Sequence, residues 1–377
     1  MDRRQLLQGA AGVAAAMWLH LASPDAHADD AIVVGRTLAL SGPLRLYGEA
    51  KRDGADALIA SVNAAGGING RRIEVVTLDD AYTPASTVAN LRKLAAEQRP
   101  TAFLGLFGVP TIAAALPVLQ ELQIPAVGLT SGTEAVRKPY NRYAFPVRAS
   151  YADEARKLVS HLKSIGITRT SVIFMDNPFG ESLKNALLLA MKGSGIDARS
   201  FPLDVAGASA VAVARQATAP EPQAIFIITV AHVAVPVFGA LKKSGYRGAT
   251  YGFSTLDASV ITKLLGAEVV GLGLTQVFPI PRGVRLKIVE EYVRATQALG
   301  RATPGFQGLE GYIEAKVLVE GLRRAGKNPS PASLVRALES FDDLDLGGYR
   351  VSYSPTLHKG SSFVDVNVIT ASGDIMR

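Results

Sequence analysis

Residues 32–80 read IVVGRTLALSGPLRLYGEAKRDGADALIASVNAAGGINGRRIEVVTLDD. A β-branched run at 32–34 is followed by an alanine-rich helical window at 48–65 and by a second β-branched run at 73–78. Short apolar strands that alternate with helices are typical of parallel sheets covered by helices on both faces. The stretch therefore predicts one strand-helix-strand unit of such a sheet.

The same alternation continues along the chain in two series. The further predicted strands are 102–104 and 126–128 in the first series and 171–174, 224–228, 249–252 and 270–274 in the second. The helical windows between them include 83–97, 111–122, 153–165 and 180–193. A chain of 377 residues exceeds the size at which a single core keeps growing. The two series therefore predict an α/β protein with two Rossmann-like lobes and parallel-sheet cores.

From residue 285 the pattern changes to a block of helices. Three helical windows at 286–299, 309–325 and 332–340 precede two strand-like runs at 349–353 and 363–369. A helical block without a sheet of its own is expected to pack on the first lobe. The last strands are expected to join the second lobe.

This arrangement sets the expected lobe boundaries. Three interlobe crossovers are expected, near 149–150, 278–279 and 346–347. The expected lobe 1 comprises residues 29–149 and 279–346. The expected lobe 2 comprises residues 150–278 and 347–377.

The N-terminus has the pattern of an export signal. Arg3-Arg4 precede an apolar run at 6–21 that ends in small residues before Ala28. A basic start, an apolar middle and an Ala-x-Ala cleavage site define a signal peptide, and the paired arginines match the twin-arginine type. The alternative is a membrane anchor, but a spanning helix needs about twenty apolar residues, and this run contains glycines and His20. We therefore expect a signal peptide at 1–28 and export of the mature chain to the periplasm.

Composition and charge narrow the class of protein. The chain is 48% hydrophobic and 19% charged, which fits a well-buried globular protein. It has no cysteine, which excludes disulfides, thiolate metal sites and a cysteine nucleophile. The net charge is +7, but the basic residues are dispersed, as at Arg323-Arg324 and Lys242-Lys243. They indicate solvated helix faces and no nucleic-acid interface. We expect neither a cofactor nor a metal.

Three loops of the first lobe have the composition of a binding site. They are LSGPLRLYG at 40–48, GLFGVPT at 105–111 and LTSGT at 129–133, and each follows a predicted strand. In parallel α/β sheets, ligands bind where loops leave the carboxyl ends of strands and where helix N-termini offer free N–H groups. Thr111 and Thr133 lie at or next to predicted helix starts, which favour an anion. The alternative is that both threonines are simply N-caps.

Several motifs occur in order along the chain. They are Ser41-Gly42-Pro43, Tyr47-Gly48, NAAGGING at 63–70, Asp79-Asp80, VRASY at 147–151, DNPFG at 176–180 and LEGYIEAK at 309–316. The ordered set closely resembles the type I periplasmic binding proteins that serve branched-chain amino-acid (Leu/Ile/Val) ABC importers. The resemblance covers essentially the whole mature chain. It implies a two-lobed protein that closes on a small solute and docks on the permease subunits of an importer.

The resemblance also implies which residues face the ligand. A first-lobe wall holds a ligand carboxylate with backbone N–H groups and hydroxyls, and a second-lobe wall closes over it. The candidates for the first wall and its edge are Ser41, Tyr47, Gly108, Val109, Pro110, Thr111, Ser131, Thr133 and Tyr151. The candidates for the second wall are Phe179, Ala231 and Ser254. The alternatives are that Ser41 only shapes its turn and that Phe179 only packs under a loop.

The chain departs from the amino-acid-binding pattern at three positions. Ser254 stands where the family typically has an acidic partner for the ligand ammonium, Ala231 where it has a tyrosine, and Val109 where it has a serine. A buried ammonium without a carboxylate partner is costly. The departures weaken the assignment of an α-amino acid and leave carboxylates, amides and aromatic acids open. Asp257 or Glu310 is the alternative source of a negative charge.

Binding is favoured over catalysis. His161 lies in a helical window and His358 in a turn, so neither resembles the base of a catalytic triad. The sequence contains no G-x-S-x-G elbow, Walker loop or H-E-x-x-H motif. His232 follows a predicted strand and is a further ligand-binding candidate.

We therefore expect no enzyme but the solute-binding component of an ABC importer, a monomer that captures an amino acid or a related acid or amide. The alternative is a ligand-sensing receptor domain of the same fold without a transport role.

Overall fold

The computed structural model describes residues 31–281, 283, 285–300, 305–372 and 374–376, so the predicted signal peptide at 1–28 lies outside the described residues. The described chain forms two α/β lobes. The strands are β1 (Ile32–Leu38), β2 (Ile73–Asp79), β3 (Ala102–Phe107), β4 (Ala126–Thr130), β5 (Ala144–Phe145), β6 (Arg169–Met175), β7 (Asp197–Leu203), β8 (Ala224–Ile228), β9 (Ala249–Gly252), β10 (Gly273–Gln276), β11 (Leu344–Asp345), β12 (Arg350–Ser354), β13 (Leu357–Gly360), β14 (Asp365–Ile369) and β15 (Ile375–Met376). The helices are α1 (Arg45–Ala64), α2 (Pro84–Gln98), α3 (Val109–Leu122), α4 (Tyr151–Ser164), α5 (Pro178–Met191), α6 (Ala210–Thr218), α7 (Ala231–Lys243), α8 (Ala258–Leu265), α9 (Lys287–Ala298), α10 (Phe306–Ala325) and α11 (Pro331–Leu338). None of the helices in these ranges combines the length and apolar character that a membrane span requires.

The first sheet has the strand order β2-β1-β3-β4-β5, and its strand pairs are parallel. β1 and β2 pair along their whole length, from Ile32 opposite Ile73 to Leu38 opposite Asp79. β3 and β4 are buried almost throughout, as expected for central strands of a parallel sheet. The strand-helix-strand unit predicted from residues 32–80 is therefore confirmed.

The second sheet has the strand order β15-β14-β10-β9-β8-β6-β7. The five strands from β10 to β7 are parallel, whereas β14 and β15 join the edge as antiparallel strands. The predicted run at 363–369 supplies β14 and so enters this sheet. Mixed edges of this kind are common on otherwise parallel sheets.

The strand-like run at 349–353 does not join the second sheet. It supplies β12, which pairs with β11 and β13 in a separate antiparallel sheet. The ring of Tyr353 packs at 5.3 Å from that of Phe145 and its hydroxyl donates to Pro146 O at 2.9 Å, so this small sheet packs on the first lobe. The crossover expected near 346–347 is therefore wrong, because burial of Tyr353 keeps the chain on the first lobe until it leaves β13. We propose lobes of 31–149 with 279–360 and of 150–278 with 365–376.

Tyr349 holds the passages between the lobes together. Its hydroxyl contacts the carbonyl oxygens of Val147 and Val277, each at 3.2 Å, and its ring stacks on Phe278 at 5.2 Å. A single hydroxyl has one proton, so one of these carbonyls receives it at a time. The first two crossovers therefore lie side by side at Tyr349.

Helix α10 lies inside the first lobe and is buried on nearly all sides. The polar residues outside this buried surface are Lys316, Glu320, Arg323 and Arg324. It packs against α1 and reaches β3 and β4. Glu310 and Glu314 on this helix are each at most 2% exposed, so both carboxyl groups need buried partners.

Candidate functional site

A cavity lies between the lobes, where loops leave the carboxyl ends of both sets of strands. The space between its walls is about 460 Å³, part of which is open to solvent. Aromatic and aliphatic side chains form most of the wall, and a few polar groups interrupt it. The lining residues are Leu44, Tyr47, Tyr82, Phe107, Gly108, Val109, Thr130, Arg148, Tyr151, Phe179, Val230, Thr255 and Gln307.

Three aromatic rings pack together on the first-lobe wall. Tyr47 lies in the first turn of α1, Phe107 ends β3, and Tyr82 follows β2. The ring of Phe107 lies 6.3 Å from that of Tyr47 and 5.9 Å from that of Tyr82. Such tilted contacts are favourable for aromatic pairs. These contacts hold the three rings together as one apolar surface of the cavity.

The Asp79-Asp80 motif positions Tyr82. Asp80 accepts hydrogen bonds from the hydroxyls of Thr37 at 3.1 Å and Thr87 at 2.9 Å, and from the backbone N–H of Tyr82 at 2.9 Å. Tyr82 has a φ of +61°, an uncommon conformation for a residue with a side chain. Gly108 leaves room for its ring, since a Cβ there would collide with it. The two aspartates therefore contribute to the site indirectly, because they fix the loop that carries Tyr82.

Helix α3 begins at the cavity. Val109 is its first residue, and the N–H groups of a first helical turn have no partner within the helix. Together with the helix dipole they favour an anion. The Thr111 hydroxyl bonds the carbonyl oxygens of Phe107 and Gly108, the latter at 3.0 Å. Thr111 is therefore not the N-cap of this helix, and Gly108 occupies that position without a side-chain cap.

The residues of the second-lobe wall lie at or near the N-termini of three helical segments. Phe179 lies in the first turn of α5, Val230 is the N-cap of α7, and Thr255 lies in a 3-10 turn after β9. Two hydrogen bonds join this wall to the first lobe: Ala231 N–H donates to the Tyr47 hydroxyl at 3.4 Å, and the Ser182 hydroxyl donates to that of Thr133 at 3.1 Å. Burial raises the pKa of Tyr47 well above its usual value, so its hydroxyl stays neutral. The lobes are in contact around the cavity.

An ionic cluster of five buried side chains borders the cavity. Its members are Lys51, Arg148, Glu154, Glu310 and Glu314. Arg148 Nη1 lies 3.6 Å from Glu310 Oε1, and Nη2 lies 3.5 Å from Glu154 Oε1. Burial alone would lower the pKa of Arg148, but the carboxylates of Glu310 and Glu154 raise it. Arg148 thus carries a permanent charge between one carboxylate from each lobe.

Glu154 is saturated by protein donors. It accepts from the backbone N–H and the hydroxyl of Ser254, each at 3.0 Å, and from the Thr275 hydroxyl at 2.5 Å. Arg148 also donates to the Ser254 hydroxyl. Ser254 is therefore part of the ionic cluster, and Glu154 has little capacity left for a ligand.

Lys51 and Glu314 form the other half of the ionic cluster. Lys51 Nζ lies 2.5 Å from Glu314 Oε2 and 4.0 Å from Glu310 Oε1, and Thr130 donates to Glu314 Oε1 at 3.1 Å. Burial, opposed by Lys51 and reinforced by the charge of Glu310, raises the pKa of Glu314 to about 7. The ionic cluster reaches the cavity wall at Thr130 and Arg148.

Three polar atoms of the lining residues are buried and have no hydrogen-bond partner among the described residues. They are Arg148 Nε, Thr255 Oγ1 and Gln307 Oε1. Buried polar atoms in proteins nearly always have partners, so unpaired ones in a cavity indicate groups of a ligand or water. No group of three or more His, Asp or Glu side chains in the described ranges is placed to hold a metal ion.

Over residues 31–371 the sequence matches a family described as periplasmic binding protein. The chain belongs to this family. The resemblance found in its motifs is thereby confirmed. Leu/Ile/Val-binding protein homolog 7 of Brucella suis biovar 1 is 24% identical over 340 residues, which cover 82% of this chain and 81% of that protein.

Solved structures agree with the fold of this periplasmic binding protein. An extracellular ligand-binding receptor from Verminephrobacter eiseniae is 26% identical and superimposes with a TM-score of 0.86, covering 92% of this chain and 100% of that one. A substrate-binding periplasmic protein from Ralstonia solanacearum is 29% identical with a TM-score of 0.85, covering 92% and 99%.

The structure brings five of the predicted ligand-binding residues of this periplasmic binding protein to the cavity wall. They are Tyr47, Gly108, Val109, Tyr151 and Phe179. Pro110 and Thr111 follow in α3, behind the wall. Ser131 and Thr133 are buried beside it, where Ser131 Oγ accepts from Thr133 N–H at 3.2 Å. Ligand contact by any of these residues stays a prediction.

The other candidates lie away from the cavity wall. Ser41 is exposed and hydrogen-bonds Asp79, as its turn-shaping alternative requires. His232 is exposed in the first turn of α7. Neither alternative source of negative charge lines the cavity: Glu310 belongs to the ionic cluster, and Asp257 caps α8 through the N–H groups of Ser259 and Val260 at 2.9 and 3.1 Å.

The sequence did not predict several lining residues of this periplasmic binding protein. Phe107 and Thr130 lie inside two of the quoted loops, and Arg148 lies in a quoted motif next to a crossover, so each had a local signal. Tyr82 is separated from the Asp79-Asp80 motif by a single alanine. Gln307 had no signal, because it lies in a helical block that the sequence assigned to packing.

Proposed function

We propose that this protein is the periplasmic solute-binding component of an ABC importer and that it captures a small carboxylate in the interlobe cavity by lobe closure. The observation that carries the proposal is the cavity itself, which both lobes line and which meets the start of α3 and the unpaired Nε of Arg148. Membership of the periplasmic binding protein family supports the role.

The proposed orientation follows from charge. A ligand carboxylate lies at the first turn of α3 and near Arg148, since helix N–H groups and a guanidinium both donate to anions. The apolar part of the ligand lies against Tyr47, Tyr82 and Phe107, and Phe179 covers it from the second lobe.

The cavity is a poor binding site for an α-ammonium group. Among the described residues, no Asp or Glu side chain lines it, and Glu154 is saturated by Ser254 and Thr275. A buried ammonium without a carboxylate is costly. We therefore propose aliphatic or aromatic carboxylates rather than α-amino acids, although the Brucella relative is named for leucine, isoleucine and valine.

Lobe closure is proposed as the capture step. The bonds from Ala231 to Tyr47 and from Ser182 to Thr133 cross the cleft, so opening the lobes breaks them. A ligand that contacts both walls stabilises the closed form by its differential affinity.

The test uses the chain from residue 29, freed of bound solute by unfolding and refolding. Calorimetry and thermal unfolding are measured with phenylacetate, 4-methylpentanoate, leucine, phenylacetamide and, as a cationic control, phenethylamine. We expect at least one of the two acids to bind and to raise the melting temperature, and to bind tighter than leucine or phenethylamine. Absence of binding by both acids, and also by their hydroxylated analogues mandelate and 4-hydroxyphenylacetate, would refute carboxylate capture. Loss of uptake of the bound acid on deletion of the gene tests the transport role.

A further inference from the structure

Gln307 places an unpaired acceptor in the cavity. It is the second residue of α10, is 8% exposed and lines the cavity. Its side chain lies beside the carboxyl group of Asp257, which the second lobe supplies at the start of α8. A carboxylate only accepts hydrogen bonds, so the amide NH₂ of Gln307 faces Asp257. The amide oxygen is left without a partner among the described residues.

Thr255 offers a second unpaired group. Its hydroxyl is buried, lines the same cavity and likewise has no partner among the described residues. A hydroxyl can donate or accept, whereas the Gln307 oxygen only accepts. The pair therefore matches a ligand group that donates one hydrogen bond and can accept another, as a hydroxyl or an amide does.

The pair is also assembled from both lobes. Gln307 belongs to α10 of the first lobe, and Thr255 lies in the 3-10 turn of the second. The Gln307 amide meets the Asp257 carboxyl group across the cleft. Asp257 itself has a φ of +48° and already accepts two backbone N–H groups, so its position is fixed by the backbone that it caps.

We propose that Gln307 and Thr255 form a second polar subsite, which binds a neutral hydroxyl or amide group of the ligand and selects ligands that carry one. This proposal rests on the carboxylate capture proposed above. An ammonium is a poor occupant, because its charge has no carboxylate in the cavity wall and the Asp257 carboxyl group beside the subsite already accepts from two backbone N–H groups. A ligand without a donor leaves the Gln307 oxygen buried and unpaired, which is the basis of strong discrimination by hydrogen bonding.

The experiment compares four small acids by calorimetry. Phenylacetate carries no second polar group, mandelate adds an α-hydroxyl, 4-hydroxyphenylacetate adds a ring hydroxyl, and phenylglycine adds an ammonium. We expect one of the two hydroxylated acids to bind at least about tenfold tighter than phenylacetate. Phenylglycine is expected to bind no tighter than phenylacetate.

Two variants assign the preference to the subsite. Gln307→Leu removes the acceptor, and Thr255→Val removes the hydroxyl while it leaves Gln307 and Asp257 in place. The preference is the ratio of the affinities for the hydroxylated acid and for phenylacetate, measured in each variant, and each variant is expected to reduce it by about fivefold or more. Thr262→Val is the matched control, since Thr262 has a similarly buried, unpaired hydroxyl that does not line the cavity. It should keep the preference.

The outcomes separate the two proposals. If none of the four acids binds the wild-type protein and 4-methylpentanoate also does not bind, carboxylate capture fails and the subsite fails with it. If phenylacetate binds and neither hydroxylated acid binds tighter, only the subsite is wrong. A preference that persists in both variants, or tightest binding of phenylglycine, also overturns the subsite alone.

Discussion

The ionic cluster and the cavity beside it are both buried and polar, yet they use their polar groups differently. In the ionic cluster each cation faces carboxylates of the protein, as Lys51 faces Glu314 at 2.5 Å. In the cavity wall, Thr255 Oγ1 and Gln307 Oε1 have no partner among the described residues. Buried polar groups that are hydrogen-bonded to each other stabilise a fold, whereas unpaired polar groups in a cavity can bind a ligand. The difference predicts that the ionic cluster mainly affects stability and that the cavity residues mainly affect selectivity.

Arg148 belongs to both regions. Its Nη atoms face Glu154 and Glu310, and its Nε is unpaired at the cavity wall. Because Glu154 lies on the second lobe and Glu310 on the first, Arg148 also links the lobes next to a crossover. Variants of the ionic cluster should therefore mainly lower the free energy of unfolding. Variants of Arg148 should also lower the affinity for the ligand.

The largest expected effect is that of Arg148→Met. The change leaves Glu154 and Glu310 buried beside an apolar side chain, and breaking a buried ion pair costs about 3–5 kcal/mol of unfolding free energy. Denaturant unfolding measures the loss. Arg156→Met is the control, because Arg156 is exposed and pairs with Asp153 on the surface, where a pair contributes at most about 1 kcal/mol. Equal losses in both variants would show that burial of the ionic cluster is unimportant.

The second-largest loss of stability is expected from a methyl group added at Gly128. Gly128 has a φ of +79°, and a Cβ there would collide with the carboxyl group of Glu314. Gly128→Ala is expected to cost about 2–4 kcal/mol, from backbone strain and displacement of the Lys51 and Glu314 pair. Gly193→Ala provides the comparison, since Gly193 has a φ of +74° and open space around the Cβ position. It should cost about 1 kcal/mol from strain alone, and a loss as large as that of Gly128→Ala would contradict the prediction.

The pH dependence of stability should change in Glu314→Gln. Burial raises the pKa of Glu314 from 4.5 to about 7, so the folded state binds this proton more tightly than the unfolded state. Its contribution is fully present below pH 4.5 and is lost as the pH rises through 7. Glutamine is neutral throughout, so the variant should gain about 3 kcal/mol relative to wild type between these pH values.

Urea unfolding at a series of pH values provides the measurement for Glu314→Gln. Glu320→Gln, at the more exposed end of the same helix, is the control for loss of a carboxylate. A difference between Glu314→Gln and wild type that is constant across the pH range would be incompatible with the raised pKa.

The smallest expected effect concerns the bond across the cleft between Ser182 and Thr133. Thr133 does not line the cavity, so Thr133→Ala and Ser182→Ala should each weaken binding of the captured acid by the same two- to threefold, about 0.5 kcal/mol. Calorimetry compares the two. A loss for Thr133→Ala that greatly exceeds the loss for Ser182→Ala would instead indicate direct contact between Thr133 and the ligand carboxylate.

The sequence predicted the fold more fully than the site. The unit at 32–80 formed β1, α1 and β2 as expected, because local periodicity and turn residues determine such units. The run at 349–353 was misplaced, since an alternating strand pattern shows that one face is buried but not against which lobe. Tyr353 decided that by packing on Phe145.

The cavity lining was predictable only where its residues lie in loops after strands. Tyr47, Gly108 and Val109 were found in this way, and topology brings such loops to one edge of a sheet. Ser254 was assigned to the second wall by its position in the family pattern. In the structure it binds Glu154 and Arg148 instead, which no local pattern reveals.

By itself the sequence determined an α/β chain of two lobes, its family and the loops at the strand ends, because these depend on periodicity, turn chemistry and the order of motifs. Only the tertiary structure decided which polar groups are paired and which remain free in the cavity. Lys51 meets Glu314, and Gln307 meets Asp257, across long stretches of chain. Burial sets the cost of each unpaired charge or amide, and burial is a property of packing that no single segment carries.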